Sequence, residues 1–266
     1  MVLSFLSDFG LQDDFVGTCH GVIARIAPDA RIIDITHGIE PQAVLQGSIV
    51  LANTLPYVPD GVHLAVVDPG VGSGRRPIAV RDHGGRVFVG PDNGLLIPAA
   101  ERAGIEAAWE LQNAAYRLEP VSRTFHGRDI FAPAAAFLAT GIVPEELGPA
   151  IQPASLVRLE VPVPEVGDAK IRATVLYVDR YGNVQLNLAR ADVERAGIEP
   201  GTLVELELEL DSYYATAART FADARAGDII LYEDSYERIA IAISGGNAAE
   251  MFSISPGDEL TVTLVA

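Results

Sequence analysis

The 266-residue sequence predicts an α/β fold in two parts: an N-terminal, mainly parallel sheet sandwiched by helices, then a smaller C-terminal antiparallel β-barrel. Three observations predict it. Residues 1–160 alternate strand-like with helix-like segments, as βα units do. Residues 161–266 are strand-like with one short helical interruption, as compact barrels are. Between them, Leu156 to Asp168 is an extended acidic stretch with Pro162 and Pro164, which reads as a linker and places the boundary near residue 160.

Val2 to Leu6 is an apolar run without a helical period, so it reads as a strand, and Phe15 to Ala27 carries apolar residues at helical spacing. Arg31 to Ile35 and Ala43 to Thr54 repeat the pair. The apolar strand His63 to Val67 follows, then strands around Ile78 to Val80 and Val87 to Val89, and helices at Gly94 to Ala103 and Ile130 to Thr140. In the second half Ile171 to Val178, Val184 to Asn187, Leu203 to Leu210, Ile229 to Tyr232, Ile239 to Ile243 and Leu260 to Val265 read as strands, with Ala191 to Ala196 a helical connector.

A net charge of −17, with no basic run among its 19 Lys and Arg, argues against a nucleic-acid partner, because phosphate binding needs clustered cations. No apolar stretch has the ~18 residues of a membrane span, and no basic leader precedes the first strand, so a soluble cytoplasmic protein is expected. The one lysine, Lys170, gives Schiff-base chemistry little support. The one cysteine, Cys19, lies within an apolar helical pattern and reads as buried and structural. No paired Cys/His spacing suggests zinc, and no metal or cofactor is expected.

Three polar clusters sit where apolar strands end, the place where open α/β sheets bind ligands. The first is Ser7-Asp8-Phe9-Gly10 with Asp13 and Asp14. These carboxylates suit a divalent cation, ribose hydroxyls, or plain capping of the following helix. The second is Val66 to Arg76, VVDPGVGSGRR: Asp68 must turn with Pro69, and Arg75 and Arg76 lie far enough along to fold back over it. A guanidinium there would hold the carboxylate ionised, although a surface ion pair at a strand end would look the same. The third is Thr124 to Asp129, TFHGRD, which sets His126 in a loop before a helix. His37, in THG after a strand, is the other histidine of interest; His63 begins a strand, and His20 and His83 have no such setting. In the second half the turn Asp179 to Asn183, TFAD at Thr220 to Asp223, Asp234 to Tyr236, and GGNAAE at Gly245 to Glu250 interrupt the strands; aromatic and amide groups there could stack on and read a purine, as ordinary hairpin loops also could.

Taken in order, SDFG, THG, VVDPGVGSGRR, PDNG, TFHGRD, DRYGN, TFAD and GGNAAE resemble the S-adenosylmethionine (SAM) hydroxide adenosyltransferases, relatives of the fluorinase and chlorinase, over essentially the whole chain. The resemblance implies a catalytic triad at Asp68, Arg75 and His126. It implies substrate contacts at Asp8, Asp13 and Asp68 from the larger domain, and at Asp179, Asn183, Phe221, Ser235, Tyr236, Asn247 and Ala248 from the smaller one, adenine contacts among them. It further implies a homotrimer, with the site between the larger domain of one subunit and the smaller domain of its neighbour. The halogenases carry a long insertion where Arg81 to Phe88 is here a short hairpin, an aromatic residue in place of Asp68 and a tryptophan in place of Gln42, so no halide site is expected.

The implied reaction is attack of enzyme-generated hydroxide on the ribose 5′ carbon, giving adenosine and methionine. Methionine leaves as a neutral thioether and needs no acid, so the protein must supply alignment and an activated water. Which of Asp68 and His126 is the formal base stays open at this stage, because both are coupled to Arg75. Two other classes compete: a metal-dependent nucleoside hydrolase built on Asp8, Asp13 and Asp14, and a non-catalytic protein that binds adenosine or SAM.

Overall fold

The computed structural model describes residues 1–209 and 211–265, and the chain divides into two compact units, Met1–Leu159 and Glu160–Ala266. In unit 1 the elements are β1 (Val2–Ser7), α1 (Phe15–Ile26), β2 (Arg31–Thr36), α2 (Val44–Thr54), β3 (Val62–Val66), β4 (Pro77–Asp82), β5 (Val87–Pro91), α3 (Ile97–Glu101), β6 (Ile105–Glu110), α4 (Ala132–Ala139) and β7 (Ala150–Ile151). The sheet order is β2-β1-β3-β5-β4-β6-β7. Strands β2, β1, β3 and β5 are parallel, and β4, β6 and β7 extend the sheet in antiparallel fashion.

Side-chain alternation builds both layers. On one face Leu3, Phe5, Leu64 and Val66 pack with Cys19 and Ile23 of α1 and Ala135 of α4. On the other, Leu6, Ala65 and Val67 pack with Leu51 of α2 and Ala99 of α3. A strand buried on both faces is apolar along nearly all its length, as β3 is apart from the buried His63. The chain leaves β1, returns as β2 on one side, then crosses to β3 on the other. This reversal opens a crevice outside the carboxyl ends of β1 and β3, where Ser7 pairs with Val66.

Unit 2 holds β8 (Glu165–Val166), β9 (Lys170–Val178), β10 (Val184–Ala189), α5 (Arg190–Arg195), β11 (Leu203–Leu208), β12 (Asp211–Ala217), β13 (Ile229–Glu233), β14 (Arg238–Ile243), α6 (Ala248–Phe252) and β15 (Glu259–Leu264). Strand β10 pairs with both β14 and β9, which closes a seven-strand barrel with β8 appended outside. Among the described residues all pairings are antiparallel except β12 with β13, a parallel seam. Ile171, Ala173 and Val175 of β9 alternate into the core with Leu186, Leu206 and Val262.

Four of the described strands, β6, β7, β8 and β12, are absent from the sequence expectation, and β7 and β8 have only two residues each. Strand β6 buries the adjacent residues Ala108 and Trp109, which gives no alternation, and β12 buries only the small Ala215 and Ala217, which mark no face. The third helix is shorter than expected, and the fourth begins with a π-helical turn at Gly127–Phe131. Of the expected strand Leu203 to Leu210, Leu210 lies outside the described residues. No helix among the described residues is long and apolar enough to cross a membrane.

Candidate active site

Unit 1 brings all three of its polar clusters to one edge. Asp8 leaves β1 and Asp68 follows β3, so two carboxylates project from adjacent strand ends. The loop after Asp68 curls back on itself: a Cβ on Gly70 would lie 3.3 Å from Arg75 Cγ. Gly72 sits at φ +76°, and a Cβ there would come within 2.4 Å of the Arg123 carbonyl oxygen. Only glycine allows this contact, and through it the Asp68 loop presses against the segment that carries His126.

The result is a linked triad. Arg75 Nε donates to Asp68 Oδ1 at 2.9 Å and Oδ2 at 3.1 Å, and Nη2 also donates to Oδ2. The same Nη2 donates to His126 Nδ1 at 2.9 Å, while the guanidinium lies 4.9 Å from the Phe131 ring centre. The Asp68 and Arg75 side chains are only 7% and 10% exposed, which excludes the reading of a surface ion pair. Arg76 turns away and binds Asp92 of PDNG through Nε at 2.8 Å and the Ser155 carbonyl through Nη2 at 2.7 Å.

Arginine only donates, so His126 Nδ1 is the acceptor and its proton resides on Nε2. Burial, and then the Arg75 charge, push the His126 pKa below the ordinary histidine value. The imidazole is therefore neutral at pH 7. His126 stands at the head of the π-helical turn; the neighbouring Arg128–Asp129 pair, at 2.6 and 2.9 Å, accepts the Ser122 N–H at 2.8 Å and braces this loop.

Asp8 is half-buried, and one carboxylate oxygen accepts from Gln42 N at 2.8 Å. Burial raises its pKa, and the Asp68 charge raises it further. Asp13 and Asp14 are exposed. Asp14 occupies the helix N-cap position without capping through its side chain, which accepts instead from the Thr18 hydroxyl at 3.2 Å. The capping reading is corrected accordingly. Nor do Asp8, Asp13 and Asp14 form a metal-ligand set. Among the described residues the one group of three candidate ligand atoms lies elsewhere, at His20, Asp34 and His37. That corrects the sequence reading of His20, whose partner is Asp34 at 2.9 Å. Cys19 is fully buried and its thiol is pushed up to about 12, as an inert core cysteine would be.

In unit 2 a groove of about 940 Å³ is lined by Asp179, Asn183, Phe221, Ser235 and Tyr236, five of the seven expected barrel residues. Asp179 closes its own turn, accepting from Tyr181 N, Asn183 N and Asn183 Nδ2 at 2.7 to 2.9 Å. Asn247 caps α6 by accepting from Glu250 N at 3.0 Å and packs against Gly182 of that turn. The Ala248 side chain is buried in the barrel core. Sequence reasoning missed Tyr177 and Tyr232, which line the groove with half-buried phenols. Burial pushes Tyr232 up to about 12, so both remain neutral donors. Both stand on the outer face of the barrel, in register with Gln185 and Ala240, and not among the core residues of β9 and β13.

Residues 3–148 match the SAM hydroxide adenosyltransferase N-terminal domain, and residues 173–261 match the corresponding C-terminal domain. A protein of Salinispora arenicola named (R)-S-adenosyl-L-methionine hydrolase is 47% identical over 98% of this chain and 97% of its own. An Actinoplanes protein named fluorinase is 28% identical over 98% of this chain and 97% of its own. A crystal structure of an uncharacterized conserved protein from Thermotoga maritima superposes with TM-score 0.91 at 35% identity, covering 98% of this chain and 99% of that one. With both of its domains matched in order, and with a linked Asp68–Arg75–His126 triad in the first, the chain belongs to the SAM hydroxide adenosyltransferase family.

Proposed function

We propose that this protein hydrolyses S-adenosyl-L-methionine to adenosine and L-methionine, and that Asp68, Arg75 and His126 prepare the attacking hydroxide. The observation that carries this reading is the arrangement of the triad at the crevice: one guanidinium holds a carboxylate and a neutral imidazole at the same time. Asp68 is the anionic member and takes the water proton. His126 presents Nε2–H to the water oxygen and steadies the charge that develops there. His126 is a poor base because protonating Nδ1 would break its bond to Arg75 and set two cations side by side. The hydroxide oxygen then bonds to the ribose 5′ carbon as the C5′–S bond breaks; the electron pair returns to sulfur, which leaves as the neutral thioether of methionine. The proton on Asp68 passes to solvent.

Asp8 holds the ribose hydroxyls in this reading, with Asp13 at the rim. The unit 2 groove supplies aromatic surface from Phe221 and Tyr236 and polar groups from Asn183 and Ser235 for the adenine and the amino acid. A carboxylate at Asp68 disfavours a halide as nucleophile, since like charges that close repel. The homotrimer implied by the family resemblance belongs to the same proposal, and the mass of the assembly in solution tests it. The function is tested by incubation with SAM in water enriched in oxygen-18, with and without chelator and chloride. Adenosine labelled at its 5′ oxygen, in equal amount with and without chelator, supports the reading; unlabelled or chlorinated nucleoside, or loss of turnover on chelation, overturns it.

A further inference from the structure

His20 lies in the middle of α1, Asp34 within β2 and His37 just beyond the end of β2, yet their ligand atoms converge, all within 4.8 Å of one another. His20 Nε2 is 2.9 Å and His37 Nε2 3.1 Å from the same oxygen, Asp34 Oδ1. We propose that these three side chains form a binding site for a divalent transition metal, zinc foremost, on unit 1.

Four features point past a plain hydrogen-bonded cluster. First, His37 Nδ1 is 2.7 Å from Ser7 Oγ, which fixes the ring and turns Nε2 toward Asp34, as an outer-shell partner does for a metal-binding histidine. Second, the His37 side chain is 3% exposed, and its Nε2 has no well-formed hydrogen bond despite the nearby carboxylate. A buried polar atom with a misdirected partner is unsatisfied as a donor but correctly placed as a lone-pair ligand. Third, two imidazoles and a carboxylate are the donor set of open zinc sites. With metal–ligand bonds of about 2.0–2.1 Å, tetrahedral geometry separates ligand atoms by about 3.3 Å. The Asp34 contacts therefore need to open by only a few tenths of an ångström, and the partly exposed His20 supplies the rest by side-chain rotation. Fourth, His20 and Asp34 are 33% and 41% exposed, leaving an entry path and room for water as the fourth ligand.

The site bears on the crevice through its neighbours. The His37 carbonyl accepts from Gly10 N at 2.8 Å, and Ser7 Oγ accepts from Phe9 N at 3.3 Å, so His37 holds the chain on both sides of Asp8. A metal on His37 fixes that turn without touching the triad.

The experiment uses the full chain, free of any affinity tag, stripped with chelator and titrated with Zn²⁺ by calorimetry, with Co²⁺ as a spectroscopic probe. One equivalent per chain is expected, with Co²⁺ giving the visible absorption of a four-coordinate nitrogen and oxygen site, and Zn²⁺ raising the thermal midpoint. His20→Gln and Asp34→Asn should each weaken binding by more than about tenfold and abolish the thermal shift. Both are surface changes, and their circular dichroism without metal should match the wild type, as should the basal hydrolytic rate of His20→Gln. Absence of saturable one-to-one binding, or binding equally tight in both variants, overturns the proposal. Neither outcome depends on the reaction assigned to the triad.

Discussion

Asp68→Asn keeps the outline of the side chain and removes its charge. Both Asp68 oxygens accept from Arg75, and the pair is nearly buried. Asparagine offers one acceptor oxygen and turns an NH₂ group toward a guanidinium that only donates. Breaking a buried pair by removing one partner costs about 3–5 kcal/mol. Solvent on the crevice side places this substitution near the lower figure, about 3 kcal/mol, which lowers the thermal midpoint of unit 1 by roughly 6–12 °C. The kinetic effect is separate. Loss of the proton acceptor removes about 10²–10⁴ in rate. A fall in kcat of about 10³-fold, about 4 kcal/mol in the barrier, is therefore expected. KM should change little, because Asp8 is held by Gln42 N and not by the triad. Methionine release measured under saturating SAM, beside thermal unfolding of the same samples, checks both figures. An Asp68→Asn protein with the wild-type kcat, or one altered only in KM, would refute the assignment of Asp68 as the base.

Gly72→Ala should lower kcat and destabilise unit 1 by about 1–3 kcal/mol, since φ +76° and the Arg123 carbonyl both oppose a Cβ, whereas Gly74→Ala, whose Cβ meets open space, should be near neutral. Equal effects in the two variants would show that the loop contact is not what aligns Arg75 with His126. His126 has a lowered pKa, so its neutral form is complete above 6.5 and is lost as pH falls through the folded value. The acid limb of kcat/KM that it contributes should vanish in His126→Gln, which can still accept from Arg75; an unchanged limb would assign it to another group. His63 is buried against Phe88 with Nδ1 2.8 Å from Ser4 Oγ, and burial pulls its pKa to about 4. An unfolded chain binds that proton first, so stability is full above 6.5, falls as pH drops toward 4, and loses about 3 kcal/mol in all. Urea midpoints of the wild type and His63→Gln between pH 7 and pH 4 should differ in slope, and parallel slopes would contradict the assignment.

Much of the catalytic half was legible in the chain. Asp68 follows the apolar run Leu64 to Val67 and precedes Pro-Gly, so its place at a strand end follows from local pattern alone. The choice between Arg75 and Arg76 was not legible, because adjacent residues diverge only when each has a distinct partner: Asp68 for one, Asp92 for the other. Nor was His126 separable from His37 by spacing. His126 lies 51 residues beyond Arg75, and the loop contact at Gly72 is what sets them together. The His20–Asp34–His37 group was invisible because a helix and a strand supply its members, and no local period relates positions on different elements.

The sequence by itself determined the α/β part, the barrel part and the polar strand ends, since apolar periodicity and turn chemistry are local and survive in one dimension. The tertiary structure alone decided which polar groups meet. Strand order put Asp8 beside Asp68, a glycine approach put His126 on Arg75, and closure of β9 on β10 placed two tyrosines among the expected groove residues. Those choices rest on pairings between distant segments, which are settled by burial of the whole core and by no run of residues within it.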